Sequence, residues 1–313
     1  MTIPVHPVCP VWFLMLPGVM TLDVTGPAET LKLAKEAFSL HYIGPDDTVL
    51  TSTDMIISQI KPLPDSLPDG SLLVIPGMHD SNTGFNTPQA ITARNWLMRL
   101  QPAIHARNIN LVCVCSGALL AARAGLMQGI QCTTHHDVIT RLKNAEPTAI
   151  VRENRIFVED NGIWSSAGIT AGIDLSLHLI NHLCGAQTAL QVAREMVVYF
   201  RRSGDDPQLS PWLRWRNHLH PAIHRAQDVL TLHPEKAWSL ESLAAHVHVS
   251  SRHLTRLFQQ HVGISVRVYH EQLRLVTAQQ HLQQGKSYEQ AALAAGFSSA
   301  RQLRRAFARH SEK

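Results

Sequence analysis

The chain has 313 residues, 45% of them hydrophobic and 17% charged, which is length for about two domains at roughly 150 residues each and too apolar for a disordered or collagen-like polymer. Its net charge of +4 hides an asymmetry: up to Met196 there are 12 Lys+Arg against 16 Asp+Glu, and beyond it 16 against 8, or −4 followed by +8. Such an imbalance points to nucleic acid or an anionic surface as the partner of the basic part.

The five cysteines, Cys9, Cys113, Cys115, Cys132 and Cys184, all lie in the acidic part, odd in number and without a Cys-x-x-Cys pair. Reduced thiols are therefore expected, with no disulfide framework and no metal site, as suits a cytoplasmic protein. Pro4, His6, Pro7 and Pro10 interrupt the start of the chain, so no secretion signal is expected. The longest apolar stretch, Ile109 to Ala122, is shorter than the roughly 18 residues a spanning helix needs and is broken by Ser116 and Gly117. No membrane partner is expected.

In chain order, Val11 to Leu16, Leu72 to Ile75 and Ile109 to Val114 read as strands buried on both faces, and Ala28 to Ala37 and Thr87 to Ala106 as helices between them. The alternation predicts an α/β fold, a mostly parallel sheet sandwiched by helices. Reactive groups in such folds gather at the carboxyl ends of strands. Three segments stand there: Leu22-Asp23 to Gly26-Pro27-Ala28-Glu29, then Pro76-Gly77-Met78, then Cys113-Val114-Cys115-Ser116-Gly117. The last runs from strand straight into a helix start, the arrangement of a nucleophile elbow, where the helix dipole favours a thiolate. Each residue also has an ordinary reading: Cys115 as a small buried hydrophobe, Asp23 as a cap, Gly77 as a turn glycine.

Together with Thr133-Thr134-His135-His136 and Ser165-Ser166-Ala167-Gly168-Ile169-Thr170-Ala171-Gly172-Ile173-Asp174, these segments resemble the ThiJ/PfpI family of class I glutamine amidotransferase-like domains over about residues 8 to 196. The branch most like it holds isonitrile hydratase and the GlxA-type regulators. The resemblance implies a flavodoxin-like sandwich and a ligand pocket at Asp23, Glu29, Gly77, Met78, Cys115, Ser116, His135 and His136. In an enzyme of this type Cys115 would be the nucleophile, Asp23 the proton carrier, Ser116 a hydroxyl partner, and the amides near Gly77 and Ser116 an oxyanion-stabilising pair. Three departures stand against catalysis. Met78 replaces a second glycine and crowds the cleft, His136 replaces a tryptophan wall, and no histidine follows Cys115 as general base.

From Arg201 to Pro211 turn formers cluster, which predicts a linker; Trp212 and Trp215 after it read either as an interface between domains or as packing on the next helix. From about Pro221 the pattern is helical and duplicated. Ser239-Leu240-Glu241-Ser242-Leu243-Ala244-Ala245 returns as Ser287-Tyr288-Glu289-Gln290-Ala291-Ala292-Leu293 at an offset of 48, and Arg252, Leu254, Arg256 and Phe258 return as Arg301, Leu303, Arg305 and Phe307 at 49. Each copy reads as a helix, a turn (His246 to Val249; Ala295 to Phe297) and a second helix capped by Ser250-Ser251 or Ser298-Ser299. Its apolar face is followed by a cationic one, on which Ser251, Arg252, His253, Arg256, Ser299, Arg301, Gln302 and Arg305 are placed to meet a major groove. Val266 to Gln284 reads as one helix of about 28 Å joining the copies.

These features resemble the AraC/XylS family of transcription regulators, over about residues 221 to 310. The resemblance implies an all-α domain with two helix-turn-helix units. The expected organisation is a sensor and dimerisation domain over 1–200, a linker over 201–220 and a DNA-binding domain over 221–313. The expected function is a transcription regulator, an activator working with RNA polymerase. It binds double-stranded DNA as a homodimer under control of a small nitrogen-containing effector, without a cofactor and without enzymatic activity. The alternative is a cysteine-dependent hydratase or amidase carrying an accessory DNA-binding domain.

Overall fold

A computed structural model describes residues 8–198, 202–204, 208, 215, 218 and 220–311. Most of the predicted linker, Trp212 included, lies outside the described residues. Contacts divide the chain into two compact units, Met1–Gln208 and Leu209–Lys313.

The first unit runs β1 (Cys9–Leu14), α1 (Thr21–Lys32), β2 (Phe38–Gly44), the hairpin β3 (Thr48–Leu50) and β4 (Ile56–Ser58), β5 (Lys61–Pro62), β6 (Ser71–Ile75), α2 (Pro88–His105) and β7 (Ile109–Val114). It continues α3 (Gly117–Arg123), β8 (Gln131–Cys132), α4 (Ile139–Ala145), β9 (Ile150–Val151), β10 (Phe157–Asp160), β11 (Ile163–Ser166), α5 (Ala171–Cys184) and α6 (Ala186–Glu195). The main sheet has the order β10-β11-β7-β6-β1-β2-β5 and is parallel throughout except for the edge strand β10. Because side chains alternate across a strand, Leu73, Ile75, Leu111 and Cys113 face one core with α2 and α3, while Leu72, Val74, Val112 and Val114 face another with α1, α5 and α6. This is the α/β sandwich expected, with both faces covered.

The first helix differs from the expectation. It starts at Thr21, not Ala28, and contains Gly26 and Pro27. Both are turn formers in isolation, but here their small or compact shapes let α1 approach α5: a Cβ on Gly26 would lie 3.2 Å from Ile173 Cγ1, and one on Gly172 would lie 3.1 Å from Pro27 Cγ. Close packing outweighs the propensity cost. The shift places Asp23 in the first helical turn, and leaves Glu29 two turns on.

In the second unit α7 (Pro221–Leu232), α8 (Leu240–His246) and α9 (Ser251–Val262) enclose one core with the first half of α10 (Val266–Gln283), through Ile223, Leu230, Leu254, Phe258, Tyr269 and Leu273. The second half of α10 packs Leu275 and Ala278 with α11 (Tyr288–Ala294) and α12 (Ala300–Ser311) around Leu303 and Ala306. One helix thus serves two cores, as the duplication implied. Ser265 caps α10 by accepting from the Val268 amide at 3.2 Å. Trp215 packs within this unit: its indole Nε1 donates to Gln272 Oε1 at 2.7 Å and its carbonyl accepts from Gln227.

Gly117 opens α3 directly over the end of β6, where an added Cβ would stand 2.0 Å from the Ile75 carbonyl oxygen. Gly117→Ala is expected to destabilise the first unit by about 1–3 kcal/mol, read as a lower urea midpoint. An unchanged midpoint would contradict the close approach.

Candidate functional site

Parallel register brings the carboxyl ends of the central strands to one edge, with Ile75 beside Cys113 and Val114 beside Ser166. Cys115 follows β7 at φ +56, a left-handed conformation unusual for a side-chain-bearing residue, and α3 begins two residues later. The turn is clamped. The Cys115 amide donates to Ser166 O at 3.0 Å, and Thr134 Oγ1 donates to Cys115 O at 2.8 Å. Gly168 lies so close that a Cβ there would meet the cysteine side chain, so no other residue fits at this point.

Asp23 reaches the same spot from α1. Its Oδ2 accepts from the Gly77 amide at 3.1 Å and its Oδ1 from the Ile169 amide at 3.0 Å. Ser116 Oγ accepts from the Met78 amide at 2.9 Å. Asp23, Ser116 and Cys115 are all buried. Desolvation pushes the Asp23 carboxyl up to about 6 despite its two amide donors. The Cys115 thiol is pushed far above its ordinary value, first by burial and then by the Asp23 charge, although the Ser116 and Ile169 amides pull the other way. Here burial beats the elbow geometry, and the sulfur is a neutral thiol across the physiological range.

The structure therefore assembles Asp23, Gly77, Met78, Cys115 and Ser116, and it corrects the expectation in three places. The amides proposed as an oxyanion pair are engaged: that of Gly77 by Asp23, that of Ser116 directed at the sulfur. Glu29 stays outside, exposed in the third turn of α1 near Tyr42, whose phenol is pushed up first by burial and then by the Glu29 charge. Met78 does not fill the cleft; its side chain turns towards Gly84 and Gly18. His135 is half-buried and His136 exposed, their rings 4.2 Å apart, and they bond or pair with Asp137. Thr134, not His135, ties this segment to the elbow. Thr134, Gly168 and Ile169 were missed as site residues because their contributions are a hydroxyl, an absent Cβ and a backbone amide, which leave no chemical signature in a sequence.

Among the described residues, the group that brings three metal-ligand atoms within 4.8 Å of one another is His135, His136 and Asp137, on one surface turn. A cleft of about 820 Å³ opens elsewhere, between β10 and α5, lined by Arg152, Arg155, His178, Asn181 and Arg202 among others. It contains none of the expected pocket residues.

In the second unit, α9 and α12 turn their apolar residues inward and leave Arg252, His253, Arg256, Arg301, Gln302, Arg304 and Arg305 exposed. Ser250 caps α9 by accepting from the His253 amide, and Ser299 caps α12 by accepting from that of Gln302. Gln302 differs from the expectation of a base reader. Its Oε1 accepts from both Ser298 N at 2.7 Å and Ser298 Oγ at 2.9 Å, so the bidentate face that would match adenine is half occupied. Arg304 lies 5.1 Å from the Tyr288 ring centroid as a cation–π partner.

Residues 10–182 match the DJ-1/PfpI family, and residues 243–313 match a helix-turn-helix domain. The chain is similar to the HTH-type transcriptional regulator GbdR of Pseudomonas aeruginosa, 28% identical over 280 residues that cover 87% of this chain and 73% of that protein. It is also similar to isonitrile hydratase of Pseudomonas putida, 32% identical over 197 residues, 59% of this chain and 76% of the hydratase. A solved structure of an AraC family transcriptional regulator from Pseudomonas putida shares the fold at a TM-score of 0.51 and 23% identity, over 60% of this chain and 99% of that one.

The fold raises the Asp23 carboxyl above its unfolded value of about 3.9, so the native state holds that proton more tightly than the unfolded chain does. The stabilisation is complete below about pH 4 and is lost as the pH rises to about 6. The difference in unfolding free energy between wild type and Asp23→Asn should fall by up to roughly 3 kcal/mol across this window. A pH-independent difference would rule out the raised carboxyl.

Proposed function

The chain belongs to the DJ-1/PfpI family and carries a helix-turn-helix domain after that fold, and from this premise we propose that it is a DNA-binding transcription regulator controlled by a small molecule. The observation that carries the reading is the duplicated unit, in which two capped helices each present a pair of arginines one turn apart to solvent. Arginine pairs with guanine edges and with phosphates, and a second copy on a shared helix turns two weak contacts into one bivalent site. Similarity to GbdR extends over 87% of the chain, which supports one function for the whole chain.

In this reading residues 1–200 form the sensor and dimerisation domain, 201–220 the linker and 221–313 the DNA reader. The regulator acts in the cytoplasm as a homodimeric activator that engages RNA polymerase. The effector, a small nitrogen-containing metabolite, binds around Asp23, Cys115, His135 and His136. Asp23 supplies the anion that complements a cationic nitrogen. Because Asp23 and Cys115 are closed to solvent, the effector reaches them as the segment at Gly168 and Ile169 parts. Ile169, a β-branched residue at φ +44 held by its bond to Asp23, is the strained point at which binding shifts the balance between two states.

The second reading, a hydratase, is favoured by one observation: Asp23 and Cys115 stand together as they would in a cysteine enzyme. The protonated thiol and the engaged amides oppose it. Isonitrile turnover abolished by Cys115→Ala would establish it.

The regulator reading is tested with the full chain and a duplex recovered by selection from a random pool. Arg252→Ala and Arg301→Ala should each weaken binding to that duplex by about 1–3 kcal/mol and change little on unselected DNA, and affinity should fall steeply with salt. Equal affinity for both duplexes in all three proteins would overturn the assignment of α9 and α12 as readers.

A further inference from the structure

The connector between α7 and α8, residues 233–239, runs alongside the middle of α10, and three consecutive carbonyls of its backbone are turned towards one side chain. Arg274 Nε donates to Pro234 O at 2.8 Å, and its terminal nitrogen donates to Lys236 O at 2.7 Å and lies 3.5 Å from Glu235 O. One turn earlier on α10, His270 Nε2 donates to the same Pro234 O at 2.8 Å. Trp238 Nε1 closes the connector on itself by donating to His233 O at 3.1 Å.

The connector also touches the second helix-turn-helix unit. Gly296 lies in its turn at φ +80, and a Cβ there would stand 2.2 Å from Glu235 O and 2.8 Å from Glu235 C and Cα. The corresponding residue of the first copy, 48 positions earlier, is His248, which takes the same left-handed turn at φ +59 with its side chain exposed. The turn itself therefore accepts a side chain. What demands glycine in the second copy is the backbone of the connector.

We infer that residues 233–239 form a strap, anchored by His270 and Arg274 and seated against Gly296, that fixes the angle between the two reading helices α9 and α12. The inference rests on the DNA-binding reading for its consequence, though not for its geometry. Among the described residues, the element that contributes buried side chains to both cores is α10, whose contacts pass from one core to the other between Leu273 and Leu275, and a single helix resists twist and bend less than a helix braced at a second point. Arginine suits the anchor because its planar, permanently charged fork addresses several carbonyls at once, which a lysine cannot match. His270 is neutral at cellular pH, its imidazolium pushed down to about 4 by burial and by Arg274, so it adds a donor without a second charge. Arg274 and Gly296 are thus positioning residues for DNA recognition: neither is on the exposed reading face, and both act through the spacing of the residues that are.

The experiment uses the full chain. Spin labels introduced at the exposed positions Gln260 on α9 and Ala308 on α12 report the distance between the helices, and duplexes with half-sites moved apart in single base-pair steps report the spacing preference. Wild type should give one narrow distance distribution and one favoured spacing. Arg274→Ala should broaden the distribution and lower affinity for the selected bipartite duplex about tenfold or more, while affinity for a single half-site changes less than about threefold. Arg274→Lys should fall between, and Gly296→Ala should displace the distribution with the helical content retained. If Arg274→Ala does not fold, Gly296→Ala and Arg274→Lys decide the matter by the same two readouts. An unchanged distribution and spacing preference in these variants overturns the strap. Failure of wild type to prefer any duplex would instead overturn the regulator reading, while the distance measurement still judges the strap.

Discussion

The Asp23 carboxylate is the piece on which the first unit's site depends. From the first turn of α1 it binds the amide after β6 with one oxygen and the amide after β11 with the other, and Cys115 sits beside it at the end of β7. One side chain thereby fixes three strand exits. Two amide donors and the helix N-terminus favour its charge, yet a value of about 6 shows that desolvation is only partly offset. The same burial and the same negative charge then act on the sulfur, and both push its ionisation out of the physiological range. An elbow built for attack needs the opposite: a partly exposed thiol, a cation or base beside it and free amides facing the reacting oxygen. This elbow has instead a strained, tightly held thiol closed to solvent, beside a carboxyl and not a base.

In the second unit the governing constraint is that two small cores must be held at a set angle. Each copy closes its core with half of α10. The charged face then follows from the apolar one: once Leu254, Leu257 and Phe258 point inward, Arg252 and Arg256 have nowhere to go but solvent, and α12 repeats the arrangement with Leu303, Arg301 and Arg305. Glu271 on α10 accepts from Arg309 and His310, which moors the end of α12 to the shared helix.

Where the sequence was legible, periodicity or a charged pattern spoke for the physics. The buried strand at Ile109 to Val114, the helix over Thr87 to Ala106 and the duplicated units with their serine caps are all readable, because burial on two faces, helical periodicity, capping and repetition each leave a mark in residue type. The start of α1 was not, because Gly26 and Pro27 signal a turn locally and only the proximity of α5 makes them useful inside a helix. Glu29 enters the pocket on the resemblance alone, and its exposure on α1 depends on which face of that helix the fold covers. Gln302 looked like a reader until the Ser298 amide claimed its carbonyl. The strand-to-helix turn at Cys115 is legible in the residues, yet the protonation of its thiol depends on how deeply that turn is covered, and solvent exposure is a property of the folded chain.

In the proposed regulator Cys115 is a neutral thiol that contacts the effector without reacting with it. Its ionisation is visible directly in the ultraviolet absorbance of the thiolate, taken as the difference between wild type and Cys115→Ser while the folded protein is titrated. A thiol held neutral by burial should give no thiolate signal from this residue up to about pH 10. A thiolate already present near neutral pH would contradict it, and would return the elbow to the class of reactive nucleophiles.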